Sequence, residues 1–169
     1  MKRLLFSLAC ASTLWGTLQA EPVVLTGCGG WFESAYVTWS CQAGAINYNV
    51  YVRAEDETDW TRLDPELVRR YPDYYRADAL GLKAGSYLLK VEPVTAEGAV
   101  PDEAASTQTI AVTAHDRSGF AHVGMSEGIG AYRNDGTLKE NAKVIYVWAD
   151  NAKTVKTQVK TGSKDSNIT

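Results

Sequence analysis

Trp31, Tyr51 and Trp60 carry the chemistry this sequence offers most clearly. With Phe32 and Tyr71 they are the aromatic residues that a sheet buried on one face would leave toward solvent. Exposed Trp and Tyr rings stack on the flat apolar faces of sugars, because they offer contact area with few torsions to freeze. Trp31, Tyr51 and Trp60 are therefore candidate carbohydrate contacts. The same rings also have a purely structural use. Trp31 and Phe32 can plug an end of a sandwich, and Trp60 can cover a sheet edge. Other chemistries have less footing. No motif places a Ser or Cys nucleophile around His115 or His122. Asp116, Asp135 and Asp150 are scattered. Asn134-Asp135-Gly136 has turn composition, and a calcium loop would need acidic ligands at alternate positions over about 12 residues. No catalytic residue, no metal site and no cofactor is assigned to this chain.

The elements that must position these rings are strands. Short apolar runs recur between residues 22 and 113: Val23–Leu25, Ala35–Ser40, Ile46–Arg53, Trp60–Leu63, Tyr74–Leu80, Tyr87–Val94 and Thr107–Thr113. Turn-forming stretches separate them, among them Gly27–Gly30, Gln42–Gly44 and Lys83–Gly85. Several runs alternate. Val37 and Trp39 share a face, as do Tyr48, Val50 and Val52, then Tyr87, Leu89 and Val91, then Ile110 and Val112. A period of two turns one set inward. Seven short strands over about 90 residues predict an all-β, seven-stranded sandwich. Between the fourth and fifth, Pro65–Tyr71 is predicted to form one or two helical turns, with Asp64 as cap and Pro65 at the first helical position.

Three segments of this module, "AYVTWS", "YNVYVR" and "LGLKAGSYLLKVEPV", resemble a fibronectin type III domain, over residues 21 to 113. Leu82, Gly85 and Tyr87 are similar to that family's tyrosine corner, where the Tyr hydroxyl bonds back to nearby backbone. The resemblance implies that Trp39 and Tyr87 are buried. Cys28 and Cys41 both belong to this module. In a simple hairpin of residues 22–28 with 35–41, one lies near the turn and the other near the open end. Pairing requires Cα atoms within about 7 Å, so a disulfide needs a bulged or splayed first strand, and both outcomes stand.

Residues 114 to 139 are rich in Gly and polar side chains without periodicity, and read as a connector. Beyond it, Val144 to Trp148 is apolar on both faces. A strand of that kind belongs inside a larger assembly. A β-hairpin of about Lys143–Trp148 with Thr154–Val159 is therefore predicted as the start of a second domain, residues 140 to 169, that this sequence does not complete. The run "AHDRSGFAH…GIGAYRNDGTLKENAKVIYVWADNAKTV" is similar to the region of modular bacterial pectate lyases that leads into a parallel β-helix, over about residues 113 to 160. The resemblance implies a parent that cleaves polygalacturonate by β-elimination. There, calcium held by carboxylates neutralises the uronate and an Arg or Lys removes the C5 proton. None of that machinery falls on residues of this chain.

Residues 1 to 20 read as an export signal: Met1-Lys2-Arg3, then a mostly apolar stretch from Leu4 to Leu18, then Ala20 before Glu21-Pro22. The chain is expected to be secreted or periplasmic. Ser7-Leu8-Ala9-Cys10 loosely resembles a lipidation site, with Ser where an aliphatic residue is usual, and so ranks behind simple export. No other stretch is apolar enough for a membrane span. Without the signal, 15 basic and 20 acidic side chains leave a net charge of −5. Residues 21 to 113 hold 7 basic and 14 acidic, a net −7 that repels nucleic acid and other polyanions. Two functions compete. The first is the non-catalytic N-terminal part of a secreted pectate lyase, a monomer whose partners are the missing catalytic domain and plant cell-wall polysaccharide. The alternative is a stand-alone secreted interaction or carbohydrate-binding module.

Overall fold

The computed structural model describes residues 21–117, 123–125 and 127–147. The signal segment, Cys10, His122, Trp148 and the proposed Thr154–Val159 strand lie outside the described residues.

Period-two alternation produces two antiparallel sheets packed face to face. Their strands are β1 (Leu25–Trp31), β2 (Ser34–Ser40), β3 (Asn47–Ala54), β4 (Thr61–Arg62), β5 (Val68–Arg70), β6 (Tyr74–Leu80), β7 (Gly85–Thr95), β8 (Gly98–Ala99), β9 (Ala105–Ser106) and β10 (Ile110–Val112). One sheet runs β1-β2-β6-β5; the other runs β10-β7-β3-β4, with β8 and β9 also pairing with β7. The chain is thus all-β, and the expected β-sandwich is observed.

The inward set is the one the alternation marks. Val37 and Trp39 of β2, Val50 of β3, Ala77 and Ala79 of β6, and Leu89 and Val91 of β7 are all essentially inaccessible to solvent. Trp39 anchors this core. Its ring stacks on Tyr75 at 5.7 Å and meets Tyr48 edge-on at 5.2 Å. The Tyr48 hydroxyl would be costly to bury alone. It donates to Gln42 Oε1 at 2.7 Å and accepts from the Gln42 backbone N–H at 3.0 Å. Tyr87 is half-buried against the same core. Burial raises its pKa, while the Lys83 backbone N–H beside its hydroxyl pulls in the other direction.

Four expectations are corrected. The first strand is not Val23–Leu25: it starts at Leu25 and runs through the glycines read as a turn. An added Cβ on Gly30 would run into the Ala111 backbone, so the glycine is what lets β1 and β10 close one side of the sandwich. Pro65–Tyr71 is only partly helical. Pro65–Leu67 forms a single 3-10 turn, with Asp64 accepting from the Glu66 N–H at 2.9 Å, and β5 begins at the next residue. Short β8 and β9 have no counterpart among the seven expected runs, and the seventh run narrows to Ile110–Val112. Finally, residues 144–147 form no strand.

Cys28 and Cys41 are both free thiols. Cys28 faces Val37 across the ladder, and Cys41 lies beyond the end of β2. Four residues of extended chain separate Val37 from Cys41, roughly 13 Å, too far for a bridge.

Trp39→Ala should destabilise the sandwich by about 3–5 kcal/mol, the cost of truncating a large buried ring. Urea denaturation followed by fluorescence of the remaining tryptophans checks it. A loss below about 1 kcal/mol would mean that the two sheets do not rely on this ring.

Candidate functional site

The three candidate carbohydrate contacts do not share a surface. Tyr51 and Trp60 come together on the β10-β7-β3-β4 sheet, whereas Trp31 ends β1 in the opposite sheet. Tyr51 of β3 stands opposite Lys90 of β7 and Arg62 of β4. That register brings the Lys90 ammonium 4.6 Å from the Tyr51 ring centre and 5.0 Å from that of Trp60. The Arg53 guanidinium also lies over Trp60, at 5.0 Å. Such contacts stabilise by about 0.5–2 kcal/mol each. The polar groups around them are equally committed. Buried Glu92 accepts from Asn49 at 3.0 Å and from the Tyr51 hydroxyl at 3.3 Å, and Arg62 donates to Asn49. Burial, then the Glu92 charge, raises the Tyr51 pKa. The cluster is a closed network whose rings already carry cations.

Trp31 is different. It is 70% exposed, with one edge-on contact to Phe32, which in turn meets His115. The turn it begins also holds a polar residue with several partners. Glu33 adopts a positive φ of 48° in the sharp β1–β2 turn. Its side chain is 13% exposed and forms an ion pair with Arg117, itself 15% exposed. It also accepts from the His115 backbone N–H at 2.7 Å. The Arg117 hydrogen bond is the main reason the Glu33 carboxyl sits below its ordinary range, and Glu33 in turn raises Arg117. A Cβ on Gly136 would collide with the Glu33 side chain, and Gly136 has a φ of 85°, so this close approach needs glycine twice over.

Gly136 closes the turn expected at Asn134-Asp135-Gly136. Its N–H donates to the Arg133 carbonyl at 3.0 Å, and Tyr132 and Leu138 form an antiparallel bridge around it. Asp135 accepts from the Thr137 hydroxyl at 2.6 Å and N–H at 3.1 Å, and pairs with Lys83 at 3.2 Å. Chiefly through the Thr137 hydroxyl, its pKa falls to about 2. The stretch read as a connector thus meets the sandwich at residues 115–117 and again at the turn around Gly136. Farther on, Tyr146 donates to Asp64 at 3.3 Å, and residues 144–147 wall a groove of about 570 Å³ against Leu67, Tyr71, Asp78 and Leu80. The described part of the apolar run is no strand, and it is half covered: Ile145 and Tyr146 are half-buried, while Val144 and Val147 stay exposed.

No signal in the sequence links Glu33 to Arg117, which lie 84 residues apart. Among the described residues, no three His, Cys, Asp or Glu side chains are grouped to hold a metal ion. No described helix is long and apolar enough to cross a membrane.

No family model and no curated protein matches the chain. Among solved structures, the crystal structure of a β-1,2-glucanase from Parabacteroides distasonis aligns with 60% of this chain, at 17% identity and a TM-score of 0.40. The match spans 14% of the glucanase chain.

Arg117→Ala leaves a half-buried carboxylate without its cation and should cost about 1–3 kcal/mol. Faster hydrogen exchange at residues 131–139, with β2 and β7 still protected, is the expected readout. Acid should act likewise. Because the folded-state pKa of Glu33 is depressed, its contribution is complete above the ordinary carboxylate range. It is lost as pH falls through the lowered value, while Arg117 stays charged. An amide titration from neutral to strong acid should therefore release 131–139 before β2, and simultaneous release would show that the pair does not hold this segment.

Proposed function

We propose that this chain is a non-catalytic accessory module of a secreted polysaccharide-degrading enzyme, with a pectate lyase as the parent. The module would orient the catalytic domain joined to its C-terminal side. The observation that carries this reading is the docked connector. Arg117, Gly136 and Asp135 fasten the two described ends of this stretch to the β1–β2 turn and to Lys83. A passive spacer would need no half-buried ion pair in its linker. A module that sets the orientation of a neighbour would, since each docked contact removes a degree of freedom from the joint. The likeness of residues 113–160 to the lead-in region of pectate lyases supports the choice of parent, as does the likeness of residues 21–113 to fibronectin type III domains. Residues 144–147 form no strand and lie partly covered beside the sandwich, so this run does not carry the choice of parent.

Calcium, in this reading, belongs to the parent's catalytic domain. The whole chain incubated with polygalacturonate and calcium should give no calcium-dependent rise in unsaturated-uronate absorbance above a blank. Such a rise would place an active site within these residues and overturn the accessory role. The choice of parent is tested separately, by sequencing the gene beyond the codon for Thr169. A stop codon there would exclude the lyase parent, whereas a β-helix-like continuation with clustered carboxylates and a paired Arg or Lys would support it.

A further inference from the structure

The outer face of the β1-β2-β6-β5 sheet is built from one set of alternating positions. Ala35, Val37 and Trp39 of β2 point into the core, so Ser34, Tyr36, Thr38 and Ser40 point out. On β1, the Tyr36 ring lies against Gly29 and the Thr38 hydroxyl against Gly27, which puts both glycines, and by alternation Trp31, on the outer face. On β6, Ala77 and Ala79 are buried, leaving Tyr74, Arg76, Asp78 and Leu80 outward.

Register then orders this face along the strands. Trp31 lies beside Ser34 and Leu80 at one end, Tyr36 beside Asp78 in the middle, and Tyr74 beside Ser40 at the other end. Six residues of strand separate the two ends, roughly 20 Å. Trp31 is 70% exposed. At the far end, Tyr74 stacks on Tyr71 at 4.7 Å with their planes 7° apart, and both rings are exposed. Between them Arg76 lies 4.3 Å over the Tyr36 ring and binds Asp78 through Nε and Nη2. That fork leaves Nη1 uncommitted among the described residues.

We propose that this face binds an uncharged oligosaccharide chain laid along the strands. Trp31 and the Tyr71–Tyr74 pair are its stacking platforms, and the Arg76–Asp78 pair is its hydrogen-bonding centre. The class of ligand is set by the chemistry. Stacked rings at the ends and a fixed donor–acceptor pair between them match sugar rings with hydroxyls at their edges. The Arg76 charge is cancelled by Asp78, Arg69 stands opposite it on β5, and residues 21–113 carry a net −7, so a polyanion meets long-range repulsion at this module. The glycines at 27 and 29 keep β1 low beside the ring of Tyr36. On the other side, Tyr71 and Asp78 line the groove walled by Tyr132 and Tyr146, which gives the track a concave flank. The Tyr51–Trp60 cluster lacks these properties, since cations already lie over its rings. The proposal rests on this sheet face and the groove beside it, and stands apart from the lyase parentage.

The test is retention of the whole chain on a glycan array bearing uncharged glucans, xylans, mannans and galactans beside polygalacturonate. Retention on at least one uncharged glycan is expected, with calorimetry on that glycan as the quantitative readout. Trp31→Ala and Tyr74→Ala should each weaken binding by about tenfold or more, as loss of an aromatic anchor does. Trp60→Ala should leave it unchanged. All three variants should keep the native circular dichroism spectrum. The proposal is overturned if no uncharged glycan is retained, if polygalacturonate alone is retained, or if binding ignores Trp31→Ala and Tyr74→Ala. Self-association that Trp31→Ala abolishes, without glycan retention, would assign the face to protein contact instead and equally overturn it.

Discussion

The docking of residues 115–117 and of the turn around Gly136 on the sandwich centres on Glu33. Its backbone N–H donates to Thr113 at 2.9 Å and its carbonyl accepts from Leu82 at 2.9 Å, which ties the β1–β2 turn to the end of β10 and to the β6–β7 loop. Its side chain reaches the backbone of His115 and the guanidinium of Arg117, with Gly136 pressed against it. A left-handed backbone at a residue with a side chain costs roughly 1–2 kcal/mol, and a buried carboxylate costs more unless it is fully paired. Here the strain and the pairing have one cause. The positive φ makes the sharp turn that places this carboxylate where the chain returns after β10. An uncharged residue at 33 removes the anion and leaves Arg117 only the His115 carbonyl, at 3.2 Å, among these contacts.

The core lets the rim carry such a turn. Trp39, Tyr48 and Tyr75 fill the space between the sheets with three mutually contacting rings, and Gln42 satisfies the one hydroxyl that lies deepest. With its interior settled, the sandwich closes at one side by backbone alone, where Gly30 meets Ala111. That closure brings Thr113 beside Trp31 and Phe32, and so fixes the direction in which the chain leaves the sandwich.

How much of this is legible in the sequence depends on the range over which each interaction acts. Alternation is local, and it identifies Trp39, Val50, Leu89 and Val91 as core from neighbouring residues alone. The Asp64–Pro65 cap is local too, and is legible. Strand β5 is not, because three residues with only Val68 turned toward the core leave no period to read. The glycines of β1 mislead in a different way. Gly27–Gly30 has turn composition, yet it is strand because Tyr36, Thr38 and Ala111 occupy the space that side chains would need. The apolar run from Val144 implies a strand on composition alone. In the structure Ile145 and Tyr146 are half-buried beside Leu67 and Tyr71, so a neighbouring edge partly covers them without a ladder. Glu33 and Arg117 are beyond reach, since nothing local distinguishes an ion pair across 84 residues from two solvated charges.

The candidate rings show the same limit from the side of function. Trp31, Tyr51 and Trp60 look equivalent in sequence, as aromatics on surface strands. Register separates them. Lys90 falls opposite Tyr51 and, with Arg53, lies over Trp60, so those two rings serve to hold β3, β4 and β7 together. Trp31 falls opposite Ser34, a side chain too short to reach over an indole, and its ring stays open. The difference lies in the cross-strand neighbour and not in the ring. An exposed aromatic residue becomes a binding platform only when the residue paired with it is unable to cover it, and that pairing is a property of the sheet which the identity of the aromatic residue does not disclose.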